Sequence, residues 1–423
     1  MASTVAPSSP ADNISYDDLY AKWERGNWRA TEIDFTQDKI DWDEKMTDDQ
    51  RRSALWLYTL FFHGEDSVTD NLSPYIDAAP LEEQKYFLTT QQVDEARHAV
   101  FFSRFMHEVV GRGDGTIAGG LNATQDQITW GHRKVFTRLD EMADELRADH
   151  SPAQFARAIT LYHLVVEASL AQPGQHMIEN YLEETDLLPG FREGMRHVAL
   201  DELRHIAFGV KVLTDLYRDD PTTTQAAMLQ VLRETLAWTT AVAKPPGWDL
   251  SYTEAFGFSL DDLGEEGARS LEQKLRTIGL PVDTIPRFPM PMDLPPRERS
   301  RRGRVMLHAN FIGDEQPVLH DPEAIEIVFD TLRRRADGNA APAGTTIEWD
   351  FTDSEPWHLT LDNGSTRATR GRAPKADLSL RMTLDDWAGV VSQREDAKRL
   401  LLKRRIKPRG DLRLLLKLDK ILG

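Results

Sequence analysis

The 423-residue chain contains no cysteine, which excludes disulfides, thiolate metal ligands and a cysteine nucleophile. Histidine and carboxylate side chains are therefore the strong metal ligands that remain. The sequence also lacks the apolar run of roughly 18 residues that a membrane helix needs, and it has no apolar secretory segment near its start. From these absences we expect a cytoplasmic protein. The length predicts two domains, because a single core rarely grows beyond about 250–300 residues.

Positive charge is scarce in most of the chain, which has a net charge of −18. Such acidity argues against nucleic acid as a partner. The exception is the stretch 391–423, which holds eleven Lys/Arg and four Asp/Glu. Clustered basic residues can contact anionic lipid head groups or a membrane surface, although many such runs are simply solvated. No aromatic residue lies among these charges, as base stacking would require.

Local composition divides the chain into four parts. Residues 1–13 are small, polar and proline-containing, which predicts a disordered N terminus. Residues 14–285 show helical periodicity and little alternation, which predicts an all-α helical bundle. Residues 286–319 are interpreted as a proline-rich linker, since six prolines between 281 and 296 favour an extended connector. Residues 320–423 mix helical and alternating segments and predict a small α+β domain.

The periodicity also predicts individual elements. In the bundle we expect helices at 49–68, 81–110, 122–147, 152–172, 189–217, 222–243 and 260–278. In the small domain we expect helices at 321–336, 384–393 and 395–402 and strands at 345–353, 357–364 and 376–383. The Asp-Asn-Gly sequence at the end of the second strand predicts a hairpin turn.

One short motif, D-E-x-R-H, occurs twice in the bundle. It places Glu95 and His98 three residues apart, and likewise Glu202 and His205. Residues i and i+3 share one face of a helix, so each pair can direct a carboxylate and an imidazole to one point. A single Glu-x-x-His is common by chance in acidic helices and more often forms a solvated face.

A lone glutamate in an apolar segment precedes each copy of the motif. Glu65 follows ALWLYTLFFHG, and Glu167 lies in ITLYHLVVEASLA. A buried carboxylate is costly unless it is protonated, paired with a cation or bound to a metal. Two such glutamates, each followed by Glu-x-x-His, match the helical bundles that hold two iron or two manganese ions. We therefore predict a dinuclear metal site in a ferritin-like bundle, with one ion held by Glu65, Glu95 and His98 and the other by Glu167, Glu202 and His205.

This donor set suits oxygen chemistry at two metals. Four carboxylates can offset the charge of two divalent ions and bridge them, while two imidazoles leave positions open for dioxygen or substrate. Asp94 and Asp201 each precede a predicted ligand and can accept the outward N–H of a ligating histidine from the opposite helix. The alternative interpretation of both aspartates is that they are surface charges or pair with Arg97 or Arg204. Other histidines, including His163, are interpreted as packing or hydrogen-bonding residues.

The segments ALWLYTLFFHGEDSVTDNLSPYI and QQVDEARHAVFF resemble ribonucleotide reductase small subunits and, more closely, the related ligand-binding oxidases. The resemblance spans about residues 14–285. In the reductase subunits a radical-bearing tyrosine usually lies four residues after the first motif's histidine, and here that position is Phe102. The first ligand there is usually aspartate, whereas Glu65 is again like the oxidases. The resemblance thus implies an oxidase rather than a tyrosyl-radical reductase.

The resemblance to the oxidases also implies particular features of the site. These are a manganese–iron centre, with two irons as the alternative, a bound long-chain fatty acid, and an ether cross-link between a valine and a tyrosine. Val68, one turn after Glu65, and Tyr162, five residues before Glu167, occupy those two positions. The alternative is an ordinary core valine and a core tyrosine whose hydroxyl finds a partner. We also expect a homodimer and an electron donor.

The C-terminal part resembles a different family. ADLSLRMTLDDWAGVV and RRIKPRGDLRLLLKL look like sterol-carrier-protein-type lipid-binding domains. That resemblance implies an apolar tunnel in residues 320–423, with Leu414, Leu415, Leu416 and Leu418 near its end. A plain hydrophobic core is the alternative.

Together the two halves predict a dioxygen-activating oxidase or oxygenase that acts on, or binds, a long-chain acyl or other apolar substrate. Two enzyme alternatives remain open: a ribonucleotide reductase small subunit that uses a metal-based oxidant, and an N-oxygenase or desaturase of the same fold. The alternative from another class is a lipid-binding metalloprotein without turnover.

Overall fold

Two units of different architecture make up the chain, and the boundary between them falls between Pro281 and Val282. The computed structural model describes residues 13–282, 291–313, 316–392 and 394–422. The predicted disordered N terminus lies outside the described residues, apart from Asn13. None of the helices in the described part of the chain is long and apolar enough to cross a bilayer.

The first unit consists of helices joined by short turns. In chain order they are α1 (Tyr16–Arg25), α2 (Thr36–Ile40), α3 (Asp48–Asn71), α4 (Ser73–Ala78), α5 (Glu82–Phe105), α6 (Ile117–Thr124), α7 (Trp130–Ala148), α8 (Pro152–Ile159), α9 (Gln172–Thr185), α10 (Pro189–Asp219), α11 (Pro221–Val242), α12 (Ser251–Glu254) and α13 (Leu260–Ile278). Wider π-helical turns occupy Asp41–Lys45, Met106–Val110 and Thr160–Ala171. The all-α prediction for this part of the chain is confirmed.

Local capping explains where several of these helices begin. Thr47 starts α3 with a capping box, in which its side chain and that of Gln50 satisfy each other's backbone N–H groups. The predicted helix at 122–147 is wrong in its first turns, because α6 ends at Thr124 and α7 begins only at Trp130. Thr129 caps α7 by accepting a hydrogen bond from the backbone of His132.

The π-helical turn Thr160–Ala171 continues α8 into α9 without a break. A π-helical turn bonds residue i to i+5 and is wider than an α-helical turn, and such turns are frequent at functional sites. This one is buried from Thr160 to Ala168. Its side chains therefore face the inside of the bundle, where α3, α5 and α10 also present theirs.

The second unit combines a five-stranded sheet with helices. Its helices are α14 (Pro296–His308), α15 (Pro322–Arg335), α16 (Leu384–Val391), α17 (Ala397–Leu402), α18 (Leu412–Leu415) and α19 (Leu418–Leu422). Its strands are β1 (Thr345–Phe351), β2 (Trp357–Asp362), β3 (Ser365–Arg370), β4 (Leu378–Met382) and β5 (Lys407–Gly410), in the order β3-β2-β1-β4-β5. Only β1 and β4 run parallel among these neighbours. The α+β prediction is confirmed.

Aromatic rings fill much of the core of this unit. Phe329 of α15 stacks on Trp357 of β2 at 4.6 Å and on Trp387 of α16 at 4.5 Å between ring centroids. Trp349 of the central strand packs edge-on against Phe329 at 5.4 Å. Aromatic pairs of this kind add to the stabilisation from burial itself, so they fasten α15 and α16 to one face of the sheet.

The predicted linker at 286–319 needs correction. Residues 283–290 lie outside the described residues, but α14 occupies Pro296–His308 inside the supposed linker. Pro296 takes the first helical position, where a missing N–H costs nothing. The helix buries Val305, packs against α15 and places Arg302 2.6 Å from Asp330. Pro295 and Pro296 therefore lie at the start of a helix, and residues 296–308 are helical rather than extended.

Candidate metal centre

Four elements of the helical unit supply the six residues expected to bind metal. Glu65 lies on α3, Glu95 and His98 on α5, Glu167 on the π-helical turn, and Glu202 and His205 on α10. All six side chains are buried. Residues up to 140 positions apart in sequence thus meet inside one bundle.

The six residues form two overlapping groups whose ligand atoms lie within 4.8 Å of one another. The first group is Glu65, Glu95, His98 and Glu202, and the second is Glu95, Glu167 and His205. Glu95 is common to both groups, which suits a carboxylate that bridges two ions. Sequence spacing had assigned Glu202 to the second ion, whereas the structure groups it with the first.

Both imidazoles point the same ring nitrogen at the carboxylates. Nδ1 of His98 is 3.2 Å from Glu65 Oε2 and 3.5 Å from Glu95 Oε2. Nδ1 of His205 is 3.1 Å from Glu95 Oε1 and 3.6 Å from Glu167 Oε1. The geometry therefore makes Nδ1 the ligand atom that each histidine offers.

The opposite ring nitrogens face the two aspartates. Nε2 of His98 lies 3.1 Å from Asp201 on α10, and Nε2 of His205 lies 3.2 Å from Asp94 on α5. Each histidine is thus oriented by a carboxylate on the other helix of the pair. A carboxylate at this position fixes the tautomer of a ligating histidine and strengthens it as a ligand.

Two tryptophans and two arginines complete the surroundings of the aspartates. Trp28 donates to Asp201 at 2.8 Å, and Trp23 donates to Asp94 at 2.9 Å. Arg204 contacts Asp94 at 3.0 Å and Asp201 at 2.6 Å, and Arg97 contacts Asp94 at 3.0 Å. The aspartates therefore bind both histidine and arginine, which sequence reasoning had treated as alternatives. The two tryptophans were not anticipated, because nothing in their spacing links them to the motifs.

Burial controls the proton affinity of the carboxyl groups. It raises the pKa of Glu65, Glu167 and Glu202 above the usual range for glutamate. Burial acts in the same direction on Glu95, but the interactions with His205 and His98 outweigh it and hold the pKa of Glu95 well below that range. Without metal, the cluster therefore concentrates negative charge on the shared carboxylate.

The pKa values of the two imidazoles are also raised, in this case against the effect of burial. Burial alone would lower the pKa of His98 and His205, yet the charges of Glu65 and Glu95 raise both pKa values well above the ordinary range. In the metal-free protein the neighbouring carboxylates therefore favour the protonated form of both rings. Because ligand atoms must be deprotonated, metal ions would displace these protons when they bind.

Buried carboxylate oxygens without a hydrogen-bond partner indicate whether the cluster has atoms available for a metal ion. Among the described residues, Oε2 of Glu167 and Oε2 of Glu202 are buried and have no hydrogen-bond partner. Buried polar atoms nearly always have a partner, so these two oxygens fit atoms meant for a ligand. Carboxylate and imidazole donors without thiolate favour iron or manganese, and two overlapping groups fit two ions.

The three remaining predicted positions are all buried. The Tyr162 hydroxyl donates to Glu95 Oε1 at 2.5 Å and is buried. Val68 is buried on α3, one turn after Glu65. Phe102, at the position of the radical-bearing tyrosine, is fully buried and stacks on Phe61 at 5.9 Å. The structure thus brings Tyr162 to the carboxylates and leaves an apolar ring at position 102.

Gln91 is a further polar residue at the centre of the cluster, and the sequence motifs did not identify it. Gln91 lies on α5, one turn before Glu95, and its amide nitrogen is 2.7 Å from Glu167 Oε1. It is completely buried. Its spacing of four residues from Glu95 puts it on the same helix face, and that spacing was the signal that could have identified it.

The fold and the site together define a ferritin-like protein with a dinuclear carboxylate centre. The family described as "Ribonucleotide reductase, small chain" matches residues 10–243. The chain therefore belongs to the ribonucleotide reductase small-chain family. The family described as "SCP-2 sterol transfer family" matches residues 329–423, so both resemblances seen in the sequence are confirmed.

Solved structures similar to the chain include R2-like ligand-binding oxidases. The oxidase from Sulfolobus acidocaldarius is 25% identical, with a TM-score of 0.54, and the alignment covers 67% of this chain and 93% of that one. A glycine-to-phenylalanine variant of such an oxidase, with an anaerobically reconstituted Mn/Fe cofactor, is 26% identical with a TM-score of 0.52; the alignment covers 65% of this chain and 96% of that one. A tyrosine-to-phenylalanine variant, also with a Mn/Fe cofactor, is 26% identical with a TM-score of 0.53, covering 62% and 93%.

Proposed function

We propose that this protein is a dinuclear metal-dependent oxidase or oxygenase that acts on, or binds, a long-chain acyl or other apolar molecule. The observation that carries the proposal is the buried cluster of four glutamates and two histidines with two uncommitted carboxylate oxygens. Manganese plus iron is the proposed pair, as in the similar oxidases, with two irons as the alternative. When bound, the metals would supply the activation of dioxygen.

The protein's own residues would prepare the site for that chemistry. Glu65, Glu95 and His98, with Glu202, would hold one ion, and Glu95, Glu167 and His205 the other. Four carboxylates offset the charge of two divalent ions in a setting from which water is excluded. Asp94 and Asp201 would hold the histidines in the ligating tautomer through the hydrogen bonds described above.

An apolar substrate is supported from two sides. The similar structures are named ligand-binding oxidases, and the C-terminal part matches a family named for sterol transfer. Phe61 precedes Glu65 by four residues on α3, and Phe102 follows His98 by four residues on α5, so a buried apolar ring lies one helical turn from each of these residues. We propose a long-chain fatty acid or another lipid as the ligand, with the C-terminal domain presenting or sensing it.

Phe102 favours the oxidase over a tyrosyl-radical reductase subunit. A phenylalanine has no hydroxyl proton to lose, so it cannot form the phenoxyl radical that such a subunit stores. Tyr162 instead lies at the cluster with its hydroxyl on Glu95. This supports the further proposal that Tyr162 and Val68 become joined by an ether bond.

Several finer features belong to the same proposal. The protein would act as a homodimer in the cytoplasm and would receive electrons from a separate donor. Its C-terminal segment would contact membrane surfaces, because basic side chains and exposed leucines alternate there.

Anaerobic metal loading followed by dioxygen tests the proposal. The full chain is loaded with Mn²⁺ and Fe²⁺, its metal content is measured, and dioxygen uptake is followed with and without a long-chain fatty acid. We expect two metal ions per chain and uptake that depends on them. The control is Glu95→Ala, which removes the shared carboxylate and should lose at least one ion.

The outcomes separate the alternatives. Fewer than two ions bound to the unaltered chain would overturn the dinuclear site. Two ions with no dioxygen uptake beyond that of free metal would leave a lipid-binding metalloprotein. Denaturing extraction that releases no fatty acid or other lipid would count against the proposed ligand class.

A further inference from the structure

Gln91 is a neutral amide placed among charged groups. Its Nε2 lies 2.7 Å from Glu167 Oε1, 3.0 Å from the Tyr162 hydroxyl oxygen and 3.5 Å from Glu95 Oε1. It is fully buried on α5. A neutral amide is a weaker metal ligand than the four glutamates around it. Its role therefore lies in the side chains to which it donates hydrogen bonds.

The orientation of this amide is determined by its neighbours. Oε1 of Gln91 lies 3.2 Å from Nε2 of His163, whereas the other end of the amide faces carboxylate and hydroxyl oxygens. Only one assignment of the amide places its N–H groups toward those oxygens. Nε2 of His163 must then carry the hydrogen that Gln91 accepts. Burial lowers the pKa of His163 to about 3, which agrees with a neutral ring.

The two N–H groups of Gln91 have different effects. One occupies Oε1 of Glu167, and Oε2 of the same carboxylate is buried without a partner among the described residues. The other meets the oxygen of Tyr162, so the hydroxyl hydrogen is directed away from Gln91 and onto Glu95 Oε1, 2.5 Å away. A single amide therefore orients a carboxylate and a tyrosine that both belong to the π-helical turn.

We propose that Gln91, oriented by His163, is a positioning residue that fixes the orientation of the Glu167 carboxylate for metal binding and directs the Tyr162 hydroxyl to Glu95. Tyr162, His163 and Glu167 lie on one π-helical turn, and Gln91 ties all three to α5. The inference rests on the proposed function, because it assumes that the cluster holds metal. Gln91 thus lies outside the proposed ligand set, and its hydrogen bonds hold three side chains of the π-helical turn in place.

Metal titration of the full chain tests the inference, with Co²⁺ as the probe because its visible absorption reports ligand geometry. Gln91→Met keeps an unbranched side chain of similar size but removes both N–H groups. Loss of a hydrogen bond to a ligating carboxylate typically weakens metal binding about 10–100-fold. We expect a loss of that size for one of two equivalents, together with an altered Co²⁺ spectrum. The matched control is Gln92→Met, the same change at the neighbouring, half-buried position.

A second variant keeps the test decisive if Gln91→Met fails to fold. His163→Phe retains Gln91 and an aromatic ring but removes the donor that orients the amide, and it should shift the same equivalent in the same direction. Unchanged Co²⁺ affinity and spectrum in a folded Gln91→Met or His163→Phe protein would overturn the inference. Failure of the unaltered chain to bind two equivalents would instead overturn the proposed function, so the two failures are distinguishable.

Discussion

Burial and close neighbours shift the pKa values of individual side chains in the metal centre away from their ordinary ranges. A solvated glutamate would keep its ordinary pKa, but here the pKa of the shared Glu95 is held well below the usual range, whereas burial raises the pKa of Glu65 and Glu167 well above it. The difference arises because Glu95 is close to both imidazoles, at 3.1 Å and 3.5 Å. The position of Glu95 among its neighbours, rather than its residue type, thus distinguishes the pKa of the shared carboxylate from the pKa values of the other glutamates.

The predicted ether bond can be tested at the scale of two residues. Joining the Tyr162 oxygen to a Val68 carbon would remove one hydrogen from each side chain, and the two electrons and two protons would go to dioxygen. After loading with iron and manganese and exposure to air, we expect the intact mass to fall by two hydrogens. The measurement is mass spectrometry of the whole chain, with fragmentation to locate a link between α3 and the π-helical turn.

Tyr162→Phe is the control for this experiment. It keeps the ring and removes the oxygen, so its mass should stay unchanged after the same treatment. The same loss of two hydrogens in that variant, or no loss in the unaltered chain, would contradict the link.

At the scale of elements, α10 depends on a buried cap. Asp38 of α2 accepts hydrogen bonds from the backbone N–H groups of Gly190 at 2.8 Å and Phe191 at 2.7 Å, in the first turn of α10. Burial raises the pKa of Asp38 to about 6. The helix that begins there carries Glu202 and His205, so this contact helps to hold the metal centre.

Removing that cap should destabilise the protein measurably. Asp38→Ala leaves two buried N–H groups without an acceptor, at a cost of about 1–3 kcal/mol for each unsatisfied group. We expect a lower urea midpoint in unfolding followed by circular dichroism at neutral pH. The control is Asp43→Ala, which removes only an exposed ion pair with Lys39 and should cost under about 1 kcal/mol. Equal midpoints for the two variants would refute the importance of the cap.

The elements of the small domain show which patterns a sequence reveals. Strands β1, β2 and β4 were predicted because buried apolar residues recur along them, and the hairpin was predicted from Asn363 and Gly364, which both adopt positive φ. Strands β3 and β5 were missed. Both lie at sheet edges and contain no buried residue, so no apolar alternation marks them.

At the scale of the whole molecule, charge is distributed unevenly along the chain. The C-terminal segment is basic in an otherwise acidic protein, and it exposes Leu402 at 86% and Leu416 at 87%. Lys403 and Lys417 follow these leucines directly and, within the described residues, form no ion pair. Basic side chains near an anionic bilayer contribute about 1 kcal/mol each, and the leucines could insert between lipid head groups.

Vesicle sedimentation of the full chain tests this contact. We expect binding to vesicles that contain anionic phospholipid, weaker binding at high salt, and weaker binding when Leu402 and Leu416 are both changed to serine. The matched control changes Leu81 and Leu250, which are exposed leucines of the helical unit. Equal binding to neutral and anionic vesicles, or equal losses in both double variants, would rule out a specific anionic surface as the partner.

The sequence by itself determined the helical unit and the α+β unit, and it singled out the six residues that the structure brings together in the buried cluster. It could do so because helical periodicity and the repeated Glu-x-x-His spacing are local patterns. Only the tertiary structure decided that Glu95 is the shared carboxylate, that Gln91, Trp23 and Trp28 surround the site, and that α14 occupies part of the supposed linker. These features depend on contacts between residues distant in the chain, and no local spacing specifies which side chains will meet.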